Sequence, residues 1–325
     1  MNAQRPRIVR RAVHGVLLLD KAYGVSSNAA LQQAKRLYRA EKAGHTGTLD
    51  PLATGLLPLC FGAATKFAQV SLDADKRYLA TLELGITTTT GDGEGEVVRK
   101  REVHAARADV EVACARFVGA IRQMPPMHSA LKHEGRPLYD YARAGVEVER
   151  EPRTITIHAI DVVAGEGDRW TLDVSCSKGT YVRTLAEDIG EALGCGAHLA
   201  ALRRIASGRL AVEAALPIDR LASLAQGALD ALLLPVDALV ADWPKICLTG
   251  EDAARFLAGV RRRLGLADAA RVRVYGPGGA FLGTGHVAAG ELIATRLLSP
   301  AEVAAASAAP EAPALRIEES ESLLS

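Results

Sequence analysis

The stretch Gly44-His45-Thr46-Gly47-Thr48-Leu49-Asp50-Pro51-Leu52-Ala53-Thr54-Gly55 constrains this chain more than any other. Its three glycines permit backbone angles that other residues resist. Pro51 drives Asp50 out of the helical region towards extended geometry. A run this rich in Gly, Thr and Pro predicts a shaped loop, neither helix nor strand. Asp50 is its only acid, with His45 five residues upstream. The run that follows, Leu56-Leu57-Pro58-Leu59-Cys60-Phe61-Gly62, is apolar enough to anchor the loop in a core. Such a loop suits the presentation of a catalytic carboxylate. On these residues alone a plain Asp-Pro turn comes first, and the catalytic reading stands beside it.

A chain of 325 residues, 49% of them hydrophobic, predicts a sizeable core and two domains, or one large domain with an appendage. The net charge of +1 does not announce nucleic acid, but the charge is unevenly spread. Residues 1–40 carry eight basic side chains against Asp20 alone, and the C-terminal end sets Glu311, Glu318, Glu319 and Glu321 against Arg316. A basic front and an acidic tail suit a polyanion-binding face on a near-neutral enzyme. The alternative for residues 1–13 is a solubilising, disordered arm. Five scattered cysteines without a CxxC pair argue against a disulfide framework and a zinc ribbon. They predict reduced thiols in a cytoplasmic protein. No secretory signal or bilayer-spanning run is evident, so no membrane association is expected.

Residues 15–19 read as a buried strand. They end at Asp20-Lys21-Ala22-Tyr23-Gly24-Val25-Ser26-Ser27, a turn followed by helix-capping candidates. Lys21 reads equally as a phosphate contact or a solvated surface lysine. Residues 76–85 alternate as a strand with Tyr78, Ala80, Leu82 and Leu84 on one face, where Tyr78 alone would be a core aromatic. Thr87 to Gly95 has alternating glycines but lacks the Lys-Ser/Thr ending of a phosphate loop, so a flexible loop is expected. Residues 107–120 predict a helix with Val110, Cys114, Phe117 and Val118 on one side. From about 124 to 152, Lys132, His133, Arg136 and Arg143 mix with Tyr139 and Tyr141. That mixture either grips phosphates and bases or forms an ordinary amphipathic excursion.

Strands at 155–164 and 170–177 lead into Lys178-Gly179-Thr180-Tyr181-Val182-Arg183. Thr180 is the expected helix cap. Arg183 falls in the first turn, where a cation opposes the helix dipole and calls for an acidic partner from elsewhere in the fold. Arg203 and Arg204 read as phosphate contacts or as surface residues. From Lys245, short β-like segments punctuated by Gly276-Pro277-Gly278-Gly279 suit a small β-barrel with a helix. Residues 301–325, rich in Ala and Glu, are expected to fray.

The run from Gly44 to Gly55, the pattern Lys178-Gly179-Thr180-Tyr181-x-Arg183 and the stretch 196–205 together resemble the TruB family of tRNA pseudouridine synthases. The likeness covers most of residues 15–300; the family's usual Asp-Lys-Pro turn reads Asp20-Lys21-Ala22 here. It implies an α+β fold, a mixed, largely antiparallel-sheet catalytic domain over 14–244 with a C-terminal PUA-like small β-barrel over 245–300, flanked by a disordered arm (1–13) and tail (301–325). It assigns catalysis to Asp50, its partner Arg183, and Tyr78 stacked on the target base. Asp92 would lie near the site and Leu202 would pack on the base or on Tyr78. The segment 124–152, with Lys132, would grip the tRNA T-loop, while Lys21 and Arg203 would reach phosphates. His45 would fill the space the base vacates, or be a buried structural histidine.

Pseudouridine formation breaks a glycosidic C–N bond, turns the uracil and rejoins it through carbon. It requires no redox change, so no cofactor and no metal are expected. It does require a carboxylate beside a developing cation, with the base flipped out of its stack. The implied activity is isomerisation of uridine 55 in the T-loop of tRNA by a monomer, with a second role in tRNA folding left open. Two other classes fit the same surfaces: a non-catalytic RNA chaperone, and a tRNA-guanine transglycosylase. The latter's clustered Cys/His zinc ligands are missing from this sequence.

Overall fold

The computed structural model describes residues 9–129 and 131–307. Residues 1–8 of the expected arm and 308–325 of the expected tail lie outside the described residues. Strand β1 (Gly15–Lys21) carries the first apolar run, and helix α1 (Ser27–Leu37) follows, with Ser26 accepting from the Ala29 amide as its cap. Strands β2 (Ala43–His45) and β3 (Ala53–Phe61) flank the Asp50 loop, so both ends of the stretch expected to be loop belong to strands. Helix α2 (Ala68–Asp73) leads to strand β4 (Lys76–Leu84). A hairpin of β5 (Ile86–Thr88) and β6 (Val97–Lys100) frames the glycine-rich loop.

Helix α3 (Arg107–Ala115) is shorter than expected, because the chain turns at Phe117 and Val118 into β7 (Gly119–Gln123). Val118 is accordingly exposed. The following excursion holds the two-residue strands β8 (Lys132–His133) and β9 (Arg136–Pro137) and helix α4 (Leu138–Arg143). Long strands β10 (Arg153–Glu166) and β11 (Arg169–Cys176) form a hairpin that leads into helix α5 (Val182–Ala192) and strand β12 (Ala197–Ser207). Strands β13 (Leu210–Ala211) and β14 (Leu216–Pro217) and helices α6 (Ile218–Ala222) and α7 (Gln226–Ala231) complete this part.

These strands make one ten-stranded sheet in the order β14-β1-β3-β12-β4-β11-β10-β7, with β2 beside β3 and β13 beside β12. The pairs β1–β14 and β3–β12 are parallel and the rest antiparallel, so the sheet is mixed and largely antiparallel, as expected. One face is covered by α1, α3 and α5, whose Leu31, Val110 and Ile189 join Leu57, Leu82 and Leu172 of the sheet in a single core.

Strand β15 (Lys245–Cys247), helix α8 (Gly250–Leu257), and strands β16 (Arg262–Arg263), β17 (Ala269–Tyr275), β18 (Phe281–Ala288) and β19 (Glu291–Leu297) form the C-terminal unit. Its five strands run β15-β17-β18-β19-β16 around the buried Phe256 of α8, a curled half-barrel rather than a closed one. It packs on the other face of the large sheet, where Tyr275, Phe281 and Leu298 meet Val16, Leu56 and Phe67. Helix α9 (Pro300–Ser307) occupies the first residues of the expected frayed tail. Residues 9–13 are not a free arm either, since Val13 is buried and Arg11 pairs with Asp230 and bonds the Tyr38 carbonyl. Among the described residues no helix is long and apolar enough to cross a membrane.

Candidate active site

The Asp50 loop leaves the sheet at Gly47, whose φ of +114° is open to glycine, and returns at Ala53. Buried Leu49 and Leu52 anchor it on either side of Asp50. The Ser27 hydroxyl accepts from the Leu49 amide at 2.7 Å and donates to the Leu49 carbonyl at 2.9 Å. The Pro51 carbonyl accepts from the Gly24 amide at 2.9 Å and from Lys21 Nζ at 3.3 Å. Asp50 is therefore clamped on both flanks by the turn after β1. Gly55, at φ +95°, lets β3 lie against β12: a Cβ there would stand 2.3 Å from the Arg204 carbonyl oxygen.

Opposite the loop, the start of α5 is fixed by Gln123, whose amide donates to the Tyr181 carbonyl at 3.0 Å and accepts from the Tyr181 N–H at 2.7 Å. Thr180 is not the cap: its hydroxyl donates to the Ser177 carbonyl, and Tyr181 occupies the cap position. Arg183 is buried in the first turn of α5. Its guanidinium lies 3.1 Å from Asp50 Oδ2 and 3.5 Å from Asp92 Oδ2. It also donates to the carbonyls of Thr90 at 3.1 Å and His128 at 2.6 Å. Two carboxylates thus offset the unfavourable meeting of a cation with a helix N-terminus. Asp92 is held in turn by the Thr90 hydroxyl at 2.5 Å and the Glu94 amide at 3.1 Å.

Between loop and helix opens a cavity of about 250 Å³. Asp50, Tyr78, Tyr181, Arg183 and Leu202 stand in its wall. Sheet register sets this grouping, because β4 and β12 pair Tyr78 with Arg204 and Ala80 with Leu202, and β12 and β3 pair Leu202 with Ala53. Asp50 is half-exposed at the mouth, its side chain 43% accessible, whereas Tyr78 is buried. Burial raises the Asp50 pKa above the ordinary carboxylate value; Arg183 opposes that rise and Asp92 adds to it. Burial likewise pushes the Tyr78 hydroxyl up, with Arg204 opposing.

Of the other residues singled out in the sequence, Asp92 stands behind Arg183 and Leu202 lines the cavity. His45 lies at the end of β2, half-buried, its Nδ1 without a hydrogen-bond partner among the described residues; burial and then Arg204 lower its pKa. Lys132 is exposed on β8 and is not brought to the cavity. Lys21 is neither a surface lysine nor free for a phosphate. It is 1% exposed, and its ammonium also donates to the carbonyls of Ala22 at 2.9 Å and Val25 at 2.6 Å. Arg203 forms a two-pronged pair with Asp20 at 2.8 and 3.0 Å. Arg204 is buried and donates to the Leu56 carbonyl at 2.7 Å and the Gly47 carbonyl at 3.3 Å, which makes it a strut under the loop.

Sequence reasoning missed Lys76 and Tyr181 in the cavity wall. Lys76 shares the buried face of β4 with Tyr78, and that alternation was its signal. Its ammonium is spent on the carbonyls of Ser71, Leu72 and Ala74, and burial lowers its pKa to about 8. Tyr181 lay within the Lys-Gly-Thr-Tyr motif. No group of three or more His, Cys, Asp or Glu able to hold a metal is found among the described residues.

Residues 35–182 match the model of the TruB family pseudouridylate synthase N-terminal domain. A tRNA pseudouridine synthase B from Thiobacillus denitrificans is 58% identical over 294 residues, 89% of this chain and 97% of its own. The chain belongs to the TruB family. Residues 183–241 match the tRNA pseudouridylate synthase B C-terminal domain, and 244–298 the pseudouridine synthase II TruB C-terminal model. A tRNA pseudouridine synthase B from Cupriavidus pinatubonensis is 62% identical over 263 residues, 80% of this chain and 84% of that protein. A chain of the Cbf5-Nop10-Gar1 complex superposes with a TM-score of 0.68 at 25% identity, covering 91% of this TruB-family chain and 87% of its own length. The H/ACA RNP bound to a substrate RNA containing 2'-deoxyuridine gives 0.67 at 22% identity over 89% and 86%, a likeness of fold. As a pseudouridine synthase the chain is an isomerase.

Proposed function

We propose that this TruB-family isomerase converts a T-loop uridine of tRNA, conventionally position 55, to pseudouridine, with Asp50 as the reacting carboxylate. The observation that carries this reading is the Asp50–Arg183 pair, 3.1 Å apart at the mouth of a cavity walled by Tyr78 and Leu202. Arg183 is bound from behind by backbone carbonyls, so it orients Asp50 and favours its ionised form against desolvation. A uridine flipped from its loop, at a cost of a few kcal/mol in unstacking, would enter this cavity and lie against the Tyr78 ring.

In the reaction the N1–C1' bond breaks, the C5–C1' bond forms, C5 loses a proton and N1 gains one. Attack of Asp50 on the anomeric carbon and attack on ring carbon C6 both require the carboxylate. Tyr78, whose hydroxyl burial keeps protonated, is placed to stack on the ring. Five free thiols, four of them buried, are in keeping with a cytoplasmic setting.

The test is release of tritium from a tRNA transcript labelled at uridine C5. Wild type should release about one label per tRNA. Asp50→Asn should bind tRNA but lose release by about 10³-fold or more. No release from wild type that binds tRNA tightly, or full release by Asp50→Asn, would overturn the assignment.

A further inference from the structure

The wall of the catalytic cavity holds a buried polar group that the fold leaves unused. The ammonium of Lys76 and the guanidinium of Arg204 are spent on backbone carbonyls. Arg183 is shared between two carboxylates and two carbonyls. The hydroxyls of Ser177 and Thr180 also have backbone partners. Ser129 lines the same cavity and is only 5% exposed, yet its Oγ has no hydrogen-bond partner among the described residues. Tyr181 stands beside it: burial pushes the Tyr181 hydroxyl up and Ser129 opposes that rise, but the two oxygens are not in hydrogen-bond geometry.

The backbone around this hydroxyl is pinned from two sides. The Ser129 carbonyl accepts from the Tyr139 amide of α4 at 3.1 Å, and the Ser129 amide donates to the Met127 carbonyl at 2.9 Å. The adjoining His128 carbonyl accepts from Arg183 of α5 at 2.6 Å. A buried hydroxyl without a partner is destabilising, so its presence here calls for a partner that arrives with the substrate.

Depth decides which part of the substrate that is. Asp50 stands at the mouth with its side chain 43% accessible, where a ribose still joined to its phosphates must stop. The uracil enters ahead of its sugar and carries inward the edge that holds N3 between two carbonyl oxygens. A hydroxyl as buried as that of Ser129 meets this edge. Uracil is nearly symmetric about the line from N3 to C6. A half-turn about that line brings C5 to the sugar in place of N1 and exchanges O2 with O4. One donor placed for the first carbonyl is therefore placed for the second after the turn, and a serine O–H rotates to follow its acceptor.

We infer that Ser129 Oγ donates a hydrogen bond to a ring carbonyl of the enclosed uracil, to one before the half-turn and to the other after it. The bond keeps the detached base in register with its sugar without blocking the turn. The inference deepens the reaction proposed at Asp50 and rests on that reading.

The experiment follows single-turnover product formation by wild type and Ser129→Ala on tRNA carrying uridine, 2-thiouridine or 4-thiouridine at the isomerised position. Sulfur is a poor acceptor, so a thio group at the contacted oxygen removes the bond from the RNA side. Ser129→Ala should slow the uridine substrate about tenfold. Its Kd for tRNA should stay within about twofold, because phosphate contacts outside the cavity carry most of the affinity. At least one thio substitution should slow wild type by about the same factor and slow Ser129→Ala less than about twofold further, the mark of one shared bond. Ser129→Thr keeps the hydroxyl and should recover the rate to within about threefold. The urea midpoint of Ser129→Ala should not fall below that of wild type, since the hydroxyl it removes has no protein partner. A full rate in Ser129→Ala, losses that multiply for both thio substrates, or a lowered midpoint overturns the proposal. Coupling to a 2'-deoxy substitution in place of the thio groups would put the hydroxyl on the ribose and overturns it as well. Failure of the T-loop reading looks different: wild type forms no product at that position. Release from a transcript tritiated at every uridine then finds the base that is turned, and the same substitutions placed there decide Ser129.

Discussion

The guanidinium of Arg183 stands 3.1 Å from the carboxylate of Asp50 and is held there from behind by the carbonyls of Thr90 and His128. The same guanidinium lies 3.5 Å from Asp92, whose side chain is only 4% exposed. Arg183 is therefore both the orienting partner of a half-exposed acid and the counter-charge of a buried one. Those two roles are separable.

Arg183→Ala should lose turnover by about 10²-fold through misplacement of Asp50. It should also lose about 3 kcal/mol of stability, because Asp92 is left as an uncompensated buried charge. Adding Asp92→Asn to this variant should return most of the stability and none of the turnover. Urea unfolding and single-turnover rates of the three proteins check this. Recovery of turnover in the double variant would show that Asp50 needs no cation.

The acid limb of the pH profile should report Asp50. Burial raises its pKa, with Arg183 opposing and Asp92 reinforcing the rise, so kcat/KM falls as pH drops through a value above the ordinary carboxylate range. Asp92→Asn removes a like charge and should move that limb to lower pH. A raised folded-state pKa means that protonation of Asp50 favours the folded state. Through this group, stability rises as pH falls, and acid inactivation should precede any unfolding seen by circular dichroism. An acid limb that shifts upward in Asp92→Asn would contradict this arrangement.

Lys21 offers a test of the loop clamp. Its ammonium is spent on three carbonyls, one of them that of Pro51 beside Asp50. Lys21→Met keeps the stem and removes the donor, at a cost of about 1 to 3 kcal/mol, and should lower turnover more than RNA affinity. Burial brings the folded-state pKa down from 10.5 to about 8. Between those values the folded chain binds fewer protons at this site than the unfolded one, so wild type gains stability as pH rises. The stability gap to Lys21→Met should widen across that window. A gap that stays flat would mean the ammonium is not desolvated.

Each of Asp50 and Arg183 carries a local anomaly, but that each is the other's partner was legible only through the family resemblance. Asp50 sits in a loop that only Gly and Pro explain, and Arg183 occupies a helix turn that disfavours cations. Lys21, Lys76 and Arg204 were not legible in the same way. Charged residues on strands read as solvent-facing, and the groups that satisfy these three are backbone carbonyls, which no side-chain pattern marks. The sheet order was also out of reach. Gly55 lies against Arg204 and Arg11 pairs with Asp230 through contacts far apart in sequence, and periodicity within a segment carries no information about such partners. The alternation of the C-terminal strands, by contrast, was readable, but not whether their sheet would close.

That half-barrel is joined to the catalytic sheet by a continuous apolar cluster, in which Phe281 contacts Phe67 at 5.3 Å and Tyr275 at 5.4 Å between ring centroids. Tyr275 is fixed in addition by a hydrogen bond from its hydroxyl to Asp237. Truncation before residue 245 would strip this cover from Val16, Leu56 and Phe67, so a soluble catalytic fragment is not expected. Phe281→Ala is the finer probe. It removes a buried ring at a cost of about 3 to 5 kcal/mol, placed at the junction rather than within either core. The chain's two tryptophans separate the outcomes, since Trp170 lies in β11 of the large sheet and Trp243 next to the half-barrel. With the other tryptophan replaced by Phe, each fluorescence signal reports one side. Wild type should give coincident unfolding transitions. In Phe281→Ala the Trp243 transition should move to lower denaturant, ahead of Trp170, because the half-barrel has lost its anchor while the large sheet keeps its other core. Coincident transitions in the variant would show that the two units are coupled through contacts other than this aromatic stack.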